Sequence, residues 1–243
     1  MNEKESVISL RGVSVYHSQN PWSRSSRMRG EEVLSDVNLT VREGEMVYFI
    51  GRVGSGKSSL LRTLYAELPL LEGEGEIAGF NLRTLRRKDI QLLRRSIGIV
   101  FQDCQLLTDR NAFDNLHYVM RATGWRDEVK IRQRIEAVLG VVGLQHKAYK
   151  MPYELSGGEQ QRLTIARALV NDPKIILADE PTGNLDPASS DEIMELFRRI
   201  TRSGCAIIMS THNISNLEIF PARTIRFSKG RVEELDVKQL FGN

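Results

Sequence analysis

Met46-Val47-Tyr48-Phe49-Ile50-Gly51-Arg52-Val53-Gly54-Ser55-Gly56-Lys57-Ser58 joins an apolar run to a glycine-rich loop, and this junction decides the fold class. The first five residues read as a buried strand, and Gly51–Ser58 fits G-x-x-x-x-G-K-[ST], a phosphate-binding loop. Its glycines let successive backbone N–H groups turn inward around a phosphate, and the helix expected from Ser58 to Leu64 aims its positive dipole end at the same anion. Lys57 offers a point charge to the β- and γ-phosphates, and the Ser58 hydroxyl is suited to Mg²⁺. A glycine turn without a ligand is the blander alternative, and a strand before it with a helix after it argue against that. Gly51, Arg52, Val53, Gly54, Ser55, Gly56, Lys57, Ser58 and Ser59 are therefore predicted to hold a nucleotide.

Downstream, Ile175-Ile176-Leu177-Ala178 is a second continuous apolar run, as expected of a strand covered on both faces, and it ends in Asp179-Glu180. Adjacent strand residues point to opposite sides, so the two carboxylates are free to divide the work. Asp179 is predicted to reach the Mg²⁺ shell, and Glu180 to polarise the attacking water as a general base. Strand ends often carry acids that only meet solvent; the phosphate loop in the same chain favours the chemical reading. A third run, Ala206-Ile207-Ile208-Met209, leads through Ser210-Thr211 to His212, where a ring nitrogen would lie near the γ-phosphate.

Leu155-Ser156-Gly157-Gly158-Glu159-Gln160 narrows the class further. Ser156 and Glu159 have capping-box spacing ahead of an amphipathic helix through Leu163, Ala166, Leu169 and Val170. A well-capped helix accounts for that much. The paired glycines Gly157 and Gly158, however, expose bare N–H groups at a helix start, which suits a phosphate. Two phosphate sites on opposite sides of one domain cannot grip one nucleotide, whereas head-to-tail pairing of two chains would sandwich two nucleotides between them.

With 243 residues, 41% hydrophobic and 27% charged, the chain is expected to form a single α/β domain over residues 1–243, with a helical subdomain at about 103–165. In the helical part, Ile131, Ile135, Val138, Leu139 and Val142 share one face. Before residue 45, Val7–Leu10, Val13–Tyr16 and Val37–Val41 alternate like antiparallel strands, with a turn at Glu43-Gly44. No apolar run approaches the roughly eighteen residues that span a bilayer, and residues 1–6 lack the apolar core of a signal peptide. Cys104 and Cys205 have no metal or redox spacing and read as reduced thiols. A net charge of +3 is too small to argue for nucleic acid.

Along nearly its whole length the chain resembles the ATP-binding cassette (ABC) ATPases, and the FtsE-type cell-division branch in particular. The resemblance is carried by Val100-Phe101-Gln102-Asp103 with Leu106-Leu107, by Leu155–Gln161, by Leu60-Leu61 with Tyr65, and by Ala178-Asp179-Glu180-Pro181-Thr182-Gly183-Asn184-Leu185-Asp186. It implies a P-loop NTPase fold of the ABC type, with a mainly parallel core sheet, an antiparallel β subdomain and an inserted helical subdomain. It implies ATP and Mg²⁺ as ligands and ATP hydrolysis as the activity. Gln102 becomes the residue that senses the γ-phosphate and Mg²⁺, Asp186 part of a loop reaching across a homodimer, His212 a switch histidine and Tyr16 the ring that stacks on adenine. Ser156, Gly157, Gly158 and Glu159 then close over the ATP of the other copy. The implied partner is an FtsX-like integral membrane protein, holding the chain peripherally at the cytoplasmic face of the inner membrane, with no nucleic acid involved. Ala178–Asp186 is also shared by ATPases of lipoprotein-release and macrolide-efflux transporters, which is the alternative reading. A soluble ABC ATPase acting on DNA or ribosomes is a further one, disfavoured because the chain has neither a long coiled coil nor a second cassette.

Two stretches are left over. Residues 17–30, carrying Trp22, Arg24, Arg27 and Arg29, make a longer connection than the family pattern leads one to expect. The basic cluster Arg83, Arg86, Arg87, Lys88, Arg94 and Arg95 reads first as a solvated face, and second as a contact for anionic lipid or a membrane partner.

Overall fold

The computed structural model describes residues 5–17 and 30–235, so the connection around Trp22 and its arginines lies outside the described residues. The strands, in chain order, are β1 (Ser6–His17), β2 (Glu31–Arg42), β3 (Met46–Ile50), β4 (Glu72–Ile77), β5 (Phe80–Asn81), β6 (Ile97–Val100), β7 (Ile175–Asp179), β8 (Ala206–Thr211), β9 (Arg223–Ser228) and β10 (Arg231–Leu235). They form a four-stranded antiparallel sheet in the order β2-β1-β4-β5 and a six-stranded sheet in the order β10-β9-β3-β8-β7-β6. In the larger sheet β9, β3, β8, β7 and β6 run parallel and β10 pairs antiparallel at the edge.

The apolar runs are continuous because both faces of the parallel sheet are covered. Alternate residues serve different cores. Val47 and Phe49 of β3, Ile175 and Leu177 of β7, and Ala206 and Ile208 of β8 pack toward the antiparallel sheet and α1 (Lys57–Leu64). Their neighbours Tyr48, Ile50, Ile176, Ala178, Ile207 and Met209 pack on the opposite side. That side also holds α3 (Ala112–Ala122), α4 (Glu128–Val141), α5 (Gly157–Leu169) and α6 (Pro187–Arg202); α2 (Ile90–Ser96) precedes β6, and α7 (Ser215–Ile219) follows β8. The expected face of α4 is the buried one, through Ile131, Ile135, Val138 and Leu139, and Val142 is buried just past the helix end.

The antiparallel part differs from expectation in detail. Val7–Leu10 and Val13–Tyr16 belong to one strand, β1, whose register shifts between Leu10 and Val13 around Gly12 at φ +58°. A bulge at the glycine lets the chain bend without breaking the ladder. The Glu43-Gly44 turn stands as expected, with Glu45 N–H donating to Arg42 O at 3.1 Å. In the basic cluster Arg86 pairs with Asp89, Arg94 donates to the carbonyls of Tyr65 and Ala66, and Arg83 donates to that of Gly73. Half of the cluster is thus tied to its own surroundings.

Candidate functional site

Parallel pairing lines up the carboxyl ends of the central strands: Ile50 sits opposite Thr211, and Asp179 opposite Ser210. Ligands of open α/β sheets bind at such ends. A cavity of about 570 Å³ lies there, lined by the phosphate loop from Val53 to Ser59, by Gln102 and Asp103, by Asp179 and Glu180, by His212, and by His17 from the end of β1.

The loop's shape depends on its glycines at two points. At Gly56, φ is +101° and a Cβ would stand 2.8 Å from Leu34 Cδ2; at Gly51, a Cβ would meet Phe227 O at 2.5 Å. Neither position tolerates a side chain without displacing packed neighbours. Lys57 is 6% exposed, and its ammonium donates to Gly51 O at 2.8 Å and Arg52 O at 3.2 Å, curling over the loop it belongs to. The Ser55 hydroxyl is buried within the same cradle and has no hydrogen-bond partner among the described residues. An unsatisfied hydroxyl beside a buried ammonium is what a phosphate would satisfy.

Across the cavity floor Ser58 Oγ donates to Asp179 Oδ1 at 3.2 Å. A hydroxyl and a carboxylate this close are hard oxygen donors suited to Mg²⁺. Among the described residues there is no cluster of three His, Cys, Asp or Glu able to hold a metal unaided, so nucleotide oxygens and water would have to complete the shell. Glu180 has a left-handed backbone, φ +51°, rare for a residue with a side chain and characteristic of functional sites. Its carboxylate lies 2.5 Å from His212 Nδ1, and its carbonyl accepts from Gly183 N–H at 3.1 Å. Gln102 Nε2 donates to Asn184 Oδ1 at 3.2 Å, tying the loop after β6 to the loop after β7.

The glycine-pair helix start stands apart. Ser156 and Glu159 form the expected capping box: Glu159 N–H donates to Ser156 Oγ at 3.3 Å and Ser156 N–H to Glu159 Oε2 at 3.0 Å. Lys147 beside Glu159, followed by the Ser156 N–H, holds the Glu159 carboxyl below the usual carboxylate range. Asp186 caps α6 through Ser189, whose hydrogen bonds lower its pKa likewise. None of Ser156, Gly157, Gly158, Glu159 or Asp186 lines the cavity.

Tyr16 stands next to the cavity's lining on β1, its hydroxyl donating to Glu72 Oε2 at 2.6 Å, and that bond raises its pKa. The β1 residue that lines the cavity is His17, with Nε2 3.1 Å from Ser59 Oγ. Sequence reasoning passed over His17 and Arg62 in this lining, and quoted Phe101 and Asp103 only as neighbours of Gln102. The available signal for His17 was its place directly after an alternating strand leading toward the phosphate loop.

The chain matches the ABC transporter family over residues 34–183. It is 46% identical over 213 residues to the cell division ATP-binding protein FtsE of Streptococcus pneumoniae, covering 88% of this chain and 92% of that protein. To FtsE of Mycobacterium tuberculosis it is 39% identical over 230 residues, covering 95% and 98%. Among solved structures it resembles cbiO1 of Clostridium perfringens, part of the ABC transporter complex cbiONQ, with a TM-score of 0.84, 29% identity and coverage of 98% and 91%. It also resembles the dimeric bacterial ABC transporter cassette MJ0796, with a TM-score of 0.79, 33% identity and coverage of 95% and 98%. A structure of that cassette in a post-hydrolysis state is bound to ADP and Pi. With motif, cavity and relatives in agreement, the chain belongs to the ATP-binding cassette family as an ABC-type ATPase of the FtsE group.

Proposed function

We propose that the chain hydrolyses Mg²⁺-bound ATP as a head-to-tail homodimer and couples that cycle to an FtsX-like membrane protein in cell division. The observation that carries the chemical part is the convergence of Lys57, Ser58, Asp179, Glu180, Gln102 and His212 on one cavity at the strand ends. The division role rests on the FtsE relatives.

In this reading the triphosphate enters the cradle of Gly51–Ser58. Lys57 leaves the carbonyls of Gly51 and Arg52 for the β- and γ-phosphates, and the Ser55 hydroxyl gains the partner it lacks. Ser58 and Asp179, with Gln102 alongside, would hold Mg²⁺, which would supply neutralisation of the phosphate charge. Glu180 holds a water and accepts its proton as the water attacks the γ-phosphorus and the bond from that phosphorus to the bridging oxygen breaks, leaving ADP and phosphate, while His212, paired with Glu180, fixes that carboxylate's direction. The adenine ring is placed against the end of β1, with His17 at the lining and Tyr16 beside it.

No helix among the described residues is long and apolar enough to cross a membrane, so attachment to the cytoplasmic face of the inner membrane would come from the partner. Leu106, partly buried against the helical side, and its neighbours next to the Gln102 loop are the proposed contact. The test is co-purification of the tagged chain from native membranes. A four-span FtsX-like protein is expected, lost in Leu106→Arg while basal ATPase activity persists. Recovery of a lipoprotein-release or efflux permease, or stimulation by DNA or ribosomes without membranes, would overturn the division role.

A further inference from the structure

The structure assigns Ser210 as a positioning residue for both hydrolytic carboxylates. It stands on β8, fully buried, in register with Asp179 on the neighbouring strand. Its hydroxyl donates to Asp179 Oδ1 and accepts the Glu180 N–H at 3.0 Å, while its carbonyl takes the same N–H at 3.2 Å. A serine hydroxyl has one proton to give and lone pairs to accept, so the two bonds coexist.

Each bond has a separate consequence. Asp179 Oδ1 receives two donors, Ser210 Oγ from the strand side and Ser58 Oγ from the phosphate loop, which sets the rotation of the carboxylate. Glu180 departs from strand geometry immediately afterwards, at φ +51°, and its amide is held from two directions by one residue. Sparsely populated backbone persists only where surroundings over-determine it. Ser210 is fully buried and does not line the cavity; it acts through Asp179 on the metal side and through the Glu180 backbone on the water side. This rests on the roles proposed above for those two residues.

The test compares Ser210→Ala, Ser210→Thr and Ser210→Val. Thr and Val share a shape and differ in the hydroxyl, so any loss from crowding at this buried position is common to both. Two readouts are needed: steady-state ATPase kinetics, and equilibrium binding of a fluorescent ATP analogue against Mg²⁺ concentration in a Glu180→Gln background, where turnover does not intrude. Ser210→Ala is expected to lower kcat about tenfold with KM for ATP within about twofold, and to raise half-saturating Mg²⁺ about tenfold, the low end of the about 10–100-fold scale for removing an outer hydrogen bond to a metal ligand. Ser210→Thr is expected to exceed Ser210→Val by a similar factor in both readouts. Unchanged kcat and Mg²⁺ dependence in Ser210→Ala overturn the proposal, as does equal loss in Thr and Val. Near-normal turnover in Glu180→Gln alone would instead remove the base role of Glu180, whatever the Ser210 variants do.

Discussion

The loop at the carboxyl ends of β3, β7 and β8 and the start of α5 each set glycines at the beginning of a helix, yet only the first lines the cavity of about 570 Å³. At the strand ends a cradle, a buried ammonium, two carboxylates and a histidine surround one cavity. At α5 the capping box is complete and the helix start is in place, but Ser156 and Gly157 face solvent and line no part of that cavity. On the function proposed above, the half presented outward serves the cavity of a second copy.

The difference is broken most severely at the strand ends. Removing a general base typically costs about 10²–10⁴-fold, so Glu180→Gln should lose turnover on that scale while still binding ATP. It should also accumulate an ATP-dependent dimer, because closure no longer ends in hydrolysis; size-exclusion chromatography with MgATP reads this directly. Turnover near the unsubstituted rate would take Glu180 out of the base role.

Lys57→Ala comes next. Its ammonium is the buried charge of the cradle, and a hydrogen bond to a charged group contributes about 1.5–3 kcal/mol, or roughly 10- to 150-fold in affinity. Equilibrium nucleotide binding should weaken by about that factor, and the ATP-dependent dimer should vanish with it. Ser156→Arg should leave the same binding measurement unchanged, which sharpens the contrast between the two phosphate sites.

The smallest effect belongs to the end of β1. Stacking of a base on an aromatic ring contributes about 1–3 kcal/mol, and His17 rather than Tyr16 lines the cavity. His17→Ala is expected to weaken ATP binding by about five- to tenfold, the low end of that range, and Tyr16→Ala by less than that, measured by isothermal titration. The reverse ranking would return the adenine contact to Tyr16.

Much of this was legible in the chain because the features are local. Gly51–Ser58 between a strand and a helix, the two acids after an apolar run, and the Ser156–Glu159 box each place their consequence within a few residues. The strands β4 and β5 were not legible: Glu72-Gly73-Glu74-Gly75-Glu76-Ile77 is poor in strand-forming side chains and pairs only because β1 lies beside it. The bulge that fuses two apparent strands into β1 is likewise a product of pairing. Ser210 reads as one more residue between an apolar run and His212, and its two bonds exist only once β7 and β8 lie in register. For His17 the sequence offers its place after an alternating strand, but that β1 ends over Ser59 is set only by the fold.

The central claim, that the start of α5 serves the cavity of a second copy, is tested most directly by mixing Lys57→Ala chains with Ser156→Arg chains. Each is expected to be inactive alone. In a mixed dimer one composite site combines both lesions and the other carries neither. With equal amounts and random pairing, half the dimers are mixed and half their sites intact, so about a quarter of the unsubstituted ATPase activity should return if sites act independently. Activity that stays at the level of the single variants, with mixed dimers demonstrably formed, would contradict the claim.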